Sequence, residues 1–524
     1  MVARGVVSHS GSVCLCRRWL ARQHRATERT AHEECVVTIL VIDIGTTGLR
    51  AALVDESGTI EASAYRHCAP TSPAPGLVEF DAATMWQATL EACRQILSES
   101  STPIVAVGIA NQRASTVAWN ATTGKPLGPA LGWQDLRTIV DCMTLRAEHS
   151  LAFAPNQTAT KAAWMLRNYL ADTSSEDRSN VRIGTIDSWI AWNLTSGSHF
   201  VTDHTNAAVT GLTTPDGLNW RDDVLSKLGI ERHQLPTIVP SRGIIGPATA
   251  LPGAPLLTAL VGDQQASLVG QGCVTSGRTK ITFGSGGMLD LFVGTTPSSQ
   301  STRSSHGTFP IVAHSDATSI FYGTEAVMLA AGTNIEWLVH DMQLVPDAAS
   351  TEALAATVPS TDGVVFVPAP LGLGTPHWDY GARGTLLGVT RGTTRAHIVR
   401  AVLEGVAHRG VDLVEAAEAD SGLHIDALHI DGGMSRNRVF VQALADAAQR
   451  VVHVAPVTEA TTLGAAFLAG TSAGVWGSLT EASAGLKPSW SCEPTGNGGV
   501  SRDAWGEAIG RARGWIPDLS ALDF

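Results

Sequence analysis

A chain of 524 residues has room for two to four domains of roughly 150 residues each. Hydrophobic residues make up 44% and charged residues 16%, enough for a sizeable core, and a net charge of −12 excludes general nucleic-acid binding. No apolar run approaches the roughly 18 residues of a bilayer span, and the eight cysteines form no CxxC pair, which sets aside a zinc ribbon and a disulfide framework in favour of a reduced, cytoplasmic setting.

The first 35 residues carry six arginines (Arg4, Arg17, Arg18, Arg22, Arg25, Arg29) and no strand pattern, and are read as a disordered extension. From Val36 strands and helices alternate. An apolar strand ends at Ile42 and runs into Asp43-Ile44-Gly45-Thr46-Thr47-Gly48. This places a carboxylate at a strand end beside backbone N–H groups and hydroxyls, a pattern suited to a metal–phosphate complex. Taken alone, the same residues also describe a plain strand-to-turn junction. A hairpin follows, with Asp55-Glu56-Ser57-Gly58 as its turn. Asp81 then caps a helix carrying the apolar stripe Met85, Trp86, Leu90, Cys93, Ile96 and Leu97. Ile104 to Ile109 is a buried strand that leads to Asn111-Gln112-Arg113. Thr160 to Leu170 reads as a helix, and the apolar stretch from Gly253 to Gly262 ends at another acidic residue, Asp263.

A second half begins near Cys273. Lys280 to Phe283 is a strand followed by Gly284-Ser285-Gly286-Gly287, which repeats the opening pattern of a strand and a small-residue turn with a hydroxyl. Phe321 to His340 reads as mostly helical, Arg395 to Ala419 as a long helix, and Leu428 to Ile430 as a strand ending in Asp431-Gly432-Gly433. A helix follows from about Asn437, and Leu486 to Val500 reads as loop. The alternation predicts an α/β protein of two related domains facing one cleft. The expected divisions are 1–35 as extension, 36–271 and 272–485 as the two domains, and 486–524 as a tail.

These segments resemble the FGGY family of carbohydrate kinases and, within it, the glycerol kinases. The matching runs include Asp43-Ile44-Gly45-Thr46-Thr47, Gly108 to Arg113, Trp133-Gln134-Asp135, Val201 to Ala207 and Gly262-Asp263-Gln264-Gln265. Gly374-Thr375-Pro376, Asp431-Gly432-Gly433 and Thr458 to Ala466 continue the series in family order. The resemblance implies two actin-like, ribonuclease-H-like domains with ATP and Mg2+ between them, and transfer of a phosphoryl group to a small polyol or sugar. It implies Asp43 as the metal-binding residue, Thr46, Thr47 and Gly48 as the first phosphate loop, and Ser285 and Gly286 as the second. It places Gly332, Glu336, Gly433 and Asn437 along the nucleotide, although Glu336 replaces the Gln usual in glycerol kinases. Asp263 is the implied general base, with Arg113, Gln264 and Trp133 beside the acceptor.

Three positions depart from the glycerol kinase pattern in the acceptor pocket. Ala114 stands where that pattern has Glu, Asn156 where it has Tyr, and Met288 where it has an aromatic residue. Loss of a charged acceptor and of bulk points to a larger polyol or ketose as an alternative to glycerol. A competing reading from another class is an actin-like ATPase that hydrolyses ATP with no polyol present. A weakly catalytic homologue acting as a regulator is a third, disfavoured because Asp43 and Asp263 are both present. Oligomeric state is open at this stage.

Overall fold

The computed structural model describes residues 37–170, 178–297, 303–456, 459–496 and 499–522. The basic extension of the first 35 residues and Thr458 lie outside the described residues.

Two sheets organise the chain. In the first half, β1 (Thr38–Ile44), β2 (Gly48–Asp55) and β3 (Ile60–His67) form an antiparallel meander. Next come β4 (Ile104–Asn111), β5 (Arg242–Pro247) and β6 (Leu256–Gly262), with β4 and β6 parallel to β1. The strand order is β5-β6-β4-β1-β2-β3. Ile39 to Ile42 are inaccessible on both faces of β1. A strand buried on both sides needs an unbroken apolar run, and that is what the sequence supplies there.

The second half repeats the plan. β7 (Thr279–Phe283), β8 (Gly287–Gly294) and β10 (Ile320–Met328) form a meander, with β9 (Phe309–Ser315) added at its outer edge. β11 (Ala427–Asp431) and β12 (Val451–Val454) then run parallel to β7, and β13 (Trp490–Cys492) closes the far edge. β1 and β7 thus hold equivalent places, each followed by a Gly-containing turn.

The expected Asp81 cap is present, and other helices are bounded by caps of their own. Asp81 Oδ1 accepts from the N–H groups of Ala83 (2.8 Å) and Thr84 (2.9 Å) at the start of α1 (Ala82–Glu99). α2 (Asp263–Gly270) begins directly at the end of β6. α3 (Arg395–Ser421) starts with a capping box between Thr394 and His397 and stops at Gly422, which has φ 69°. A left-handed residue at a helix terminus favours Gly because it lacks Cβ. α4 (Arg438–Ala448) is capped by Asn437, whose Oδ1 accepts from Phe440 N. α5 (Ala460–Ala473) belongs to the second half in sequence but packs on the first sheet, in one core with Ile39, Val41, Ala110 and Val261.

Two expectations are corrected. Phe321 to Met328 is not helical but lies within β10, paired to β8 and β9, and only Thr333–Glu336 and the turn after it are helical. The β-forming run Ile320-Phe321-Tyr322-Gly323-Thr324 fits between two strands, and that tertiary position overrides the helical reading. Within Leu486–Val500, the segment Trp490–Cys492 is a strand rather than loop, because β12 offers it an open edge. Among the described residues, no helix is long and apolar enough to cross a membrane.

Candidate active site

The start of α2 lies where the two halves of the chain join: Gln264 is bonded to Lys280 of β7, and Thr461 and Thr462 of α5 are bonded to Asp263 and to Asp43 at the end of β1. Asp43 lies near the end of β1, half-buried. Thr462 Oγ1, at the start of α5, donates to Asp43 Oδ2 (3.1 Å). Burial pushes the Asp43 carboxyl up to about 6, against the Thr462 hydrogen bond, and the charge of Asp263 adds to the rise. Arg50, opposite Asp43 on β2, is ion-paired to Glu459. A half-buried carboxylate whose proton affinity is raised by burial and by a neighbouring carboxylate is a fitting ligand for a divalent cation. No group of three or more His, Cys, Asp or Glu suited to a metal exists among the described residues. Mg2+ needs no such cage when phosphate oxygens and water complete its shell.

In the turn after β1, Gly45 N donates to Gly48 O (2.9 Å). Thr46 Oγ1 accepts from Trp133 Nε1 (3.2 Å), so the Trp133 indole lies against this loop with 39% of its surface open. Thr47 is exposed. Gly48 faces inward: a Cβ there would come within 2.1 Å of the Tyr65 hydroxyl. It shapes the turn and has no surface of its own to offer a phosphate.

The second turn is held from behind. Ser285 is exposed, and its carbonyl accepts from Ala331 N (2.7 Å). A Cβ on Gly286 would meet Met328 O at 2.8 Å, and one on Gly332 would meet Gly284 O at 2.6 Å, so both glycines permit backbone to lie on backbone. Gly433 is exposed with nothing within 4 Å of its Cβ position. Gly432 before it has φ 86° and would place a Cβ 2.3 Å from Phe283 O. Glu336 is exposed at the end of its short helix. Asn437 is tied down, capping α4 and donating from Nδ2 to Thr351 Oγ1 (3.0 Å).

Asp263 opens α2, and its Oδ1 accepts from Gln264 N (2.8 Å). Arg113 Nε stands 3.6 Å from the same oxygen, and Arg113 Nη2 lies 2.7 Å from Glu325 Oε2 on β10. Arg113 Nη1 is buried without a hydrogen-bond partner. Burial holds the Asp263 carboxyl above the ordinary carboxylate range, with Arg113 pulling the other way. Gln264 Oε1 accepts from Lys280 Nζ (2.6 Å) on β7. Behind Asp263, Gly262 N donates to Thr205 Oγ1 (2.8 Å), which donates to Asp203 Oδ1 (2.9 Å). That chain of bonds fixes the junction of β6 and α2.

The three departing positions differ in their settings. Ala114 is buried in a left-handed conformation, φ 62°. Its carbonyl accepts from Thr158 Oγ1 (3.2 Å). Met288 is half-buried on β8, two residues before Asp290 and on the same face. Asn156 is exposed, and its carbonyl, like that of Trp133, accepts from Lys161 Nζ (2.9 and 3.3 Å). Burial pulls the Lys161 ammonium down to about 7, while Asp135 opposes the shift. Lys161 therefore joins the segments of Trp133 and Asn156.

Lys161, Lys280 and Glu325 were not among the residues singled out from sequence. One signal was available: Lys280 is a charged residue inside an apolar strand, which is uncommon unless it has a buried partner. Two surface cavities elsewhere, one around Arg400 and Glu404 and the other around Arg182 and Trp192, share none of the site residues.

The paired meander-plus-parallel sheets, with a phosphate-type turn after β1 and after β7, define a two-domain, ribonuclease-H-like nucleotide fold. Residues 38–270 match the N-terminal domain model of the FGGY family of carbohydrate kinases, and residues 279–473 match its C-terminal domain model. The chain belongs to that family of ATP-dependent kinases. It is 39% identical to a glycerol kinase of Gloeobacter violaceus over 91% of this chain and 97% of that protein. Among solved structures, a glycerol kinase of Plasmodium falciparum with ADP superposes with a TM-score of 0.83 at 27% identity, covering 93% of this chain and 99% of that one. A xylulose kinase of Lactobacillus acidophilus shares the fold with a TM-score of 0.78 at 20% identity, covering 93% and 99%.

Proposed function

We propose that this protein transfers the γ-phosphoryl group of ATP to a hydroxyl of a small polyol, with glycerol as the first candidate and glycerol 3-phosphate as the product. The observation that carries this reading is the pairing of Asp263 with Arg113: a half-buried carboxylate with raised proton affinity beside a guanidinium whose Nη1 has no protein partner. A base of that kind can accept the acceptor's hydroxyl proton, and a spare buried donor can fix a second hydroxyl. The acceptor oxygen forms a bond to the γ-phosphorus, the bond to the β,γ-bridging oxygen breaks, ADP leaves, and the proton rests on Asp263.

Asp43 would hold Mg2+ together with phosphate oxygens, and the ion would neutralise charge developing on the transferring group. Thr46, Thr47, Ser285 and Gly286 would border the phosphates, and Gly332, Glu336 and Gly433 the nucleoside. Asn437 supports this region as a helix cap, and Gly48 by shaping its turn. Trp133 would cover the acceptor's carbon chain.

A second acceptor class is favoured by Ala114, Asn156 and Met288. A Glu at position 114 would add a charged hydrogen bond, typically about 1.5–3 kcal/mol. Its absence removes one reason to prefer a three-carbon acceptor. The experiment is ADP release by the purified protein with MgATP and, separately, glycerol, tetritols, pentitols and ketopentoses. Glycerol turnover with every larger acceptor rejected would end the second reading. ATP hydrolysis with no acceptor stimulation would end both in favour of a polyol-independent ATPase. In Ala114→Glu we expect selectivity to move toward glycerol by about tenfold or more, read as the ratio of kcat/KM values.

A further inference from the structure

The side chain that fixes Arg113 does not come from Arg113's own half of the molecule. Glu325 lies on β10 of the second sheet, and its carboxylate is 2.7 Å from Arg113 Nη2. Glu325 is cross-strand partner to Asp290 on β8, and Asp290 is cross-strand partner to Lys280 on β7. Lys280 Nζ is 2.9 Å from Asp290 Oδ2, with both side chains inaccessible. The same Nζ donates to Gln264 Oε1. A row of three charged residues therefore crosses three adjacent strands of the second sheet. Both of its ends touch the acceptor-side residues of the first half.

Strand geometry makes this row rigid. Cross-strand partners share one face with Cβ atoms about 5 Å apart, so Lys280, Asp290 and Glu325 cannot turn away without breaking the sheet. Buried charge also demands a partner, since a lone carboxylate in this setting costs several kcal/mol. With Asp263 and Arg113 added, the cluster has three carboxylates and two cations. If Glu325 lost its charge, nothing would oppose a full forked pairing of Arg113 onto Asp263. Glu325 thus holds the guanidinium where Nε stands 3.6 Å from Asp263 and Nη1 stays uncommitted.

We propose that Glu325 is a positioning residue for acceptor recognition, acting through Arg113, and that the second half of the molecule thereby completes the acceptor site. Lys280 does the same for Gln264. The inference rests on the acceptor reading of Arg113 and Asp263 given above. It has a mechanistic consequence: acceptor binding and the seating of one sheet against the other become one coupled event, because the same ion pair serves both.

The test is Glu325→Gln, which keeps shape and removes charge, in the full-length protein. It is assayed with the acceptor that the wild type phosphorylates best. The acceptor KM should rise at least about tenfold, while the KM for MgATP stays within about twofold. Glu325→Asp should recover part of the loss. Arg113→Ala placed in the Glu325→Gln background should cost much less than the same change in the wild type, since the two act as one unit. An acceptor KM that stays within about twofold of wild type overturns the proposal. So does an equal rise in both KM values with a lowered Tm, which marks a merely structural role. A wild type that phosphorylates no polyol or ketose refutes the proposed function itself, and the positioning role with it. The wild-type assay separates that failure from a failure of Glu325.

Discussion

Asp263 shows how a single position acquires chemistry from its neighbours. A carboxylate at the first turn of a helix is ordinary, and it gains from the helix dipole. Here burial raises its proton affinity, Arg113 limits the rise, and the Thr205–Asp203 bonds fix the backbone just before it. Asp263→Asn should lower kcat by about 10²–10⁴-fold, the span of general-base catalysis, and calorimetric titration with ADP should show nucleotide affinity nearly unchanged. Retained activity would remove Asp263 from the role of base. The sequence placed Asp43, Arg113 and Asp263 at strand ends, where chemistry usually gathers in α/β sheets. It could not say that Asn437 is also tied to Thr351, or that Gly48 turns inward beneath Tyr65. The cap itself is local, to Phe440, but its second bond to Thr351 and the approach of Tyr65 to Gly48 depend on other segments.

At the scale of elements, the contact of α2 with α5 links the two halves of the chain. A Cβ on Gly464 would fall 1.8 Å from Ala266 O, and one on Gly270 would fall 1.9 Å from Ala460 O. The helices touch backbone to backbone, which only small residues allow. Gly464→Ala must displace α2, and Asp263 is the first residue of that helix. We expect a lower Tm, from an overpacking cost of about 1–3 kcal/mol. A kcat loss of about 10²-fold should accompany it, because misplacement of the base by about 1 Å suffices for that. Gly506→Ala is the control: it lies inside the helix Arg502–Ala512 with nothing within 4 Å of its Cβ position, and should leave kcat alone while raising stability slightly. An unchanged kcat in Gly464→Ala would show that α2 can shift without consequence. Elements with strong local signals were legible, such as α1 with its Asp81 cap and α3 with its long apolar stripe. β10 was not, because Phe321 to Met328 carries no clear period and its strand state is imposed by β8 and β9 on either side.

For the molecule as a whole, buried histidines set how stability responds to acid. His314 is buried between Phe292 and Phe321, its Nδ1 has no hydrogen-bond partner, and burial pushes its pKa down to about 3. His408, stacked on Trp505, is pushed down to about 4, also by burial. An unfolded imidazole takes up its proton near 6.5. Between that value and about 4 the unfolded chain therefore binds protons that the fold refuses. The stability from burying these rings neutral is complete above pH 6.5 and is lost as pH falls toward 4. Asp187 works in the opposite sense. Burial raises it to about 7, so the fold holds its proton where the unfolded chain has released it, and stability from this group declines as pH rises from about 4 to 7. His377 and His429 are pushed down to about 4 in the same way, and Asp43 is raised to about 6 alongside Asp187; with four imidazoles against these two carboxyls, Tm measured across pH 8 to 4 should fall on the acid side, and His314→Phe should flatten the fall. A Tm that rises steadily toward pH 4 would show that the raised carboxyls, Asp187 and Asp43, dominate.

The sequence by itself determined that the chain is an α/β protein built twice on one plan, with carboxylates at two strand ends and small-residue turns after β1 and β7. These follow from local patterns: apolar runs, turn glycines and caps each report on their own segment. Only the tertiary structure decided that α5 packs on the first sheet, that Lys161 joins the segments of Trp133 and Asn156, and that Glu325 on the second sheet holds Arg113 on the first. The physical reason is range. A strand or cap is encoded within about ten residues, whereas a buried ion pair between residues 113 and 325 exists only after the two halves of the chain have come together. No local pattern records which charge will stand opposite.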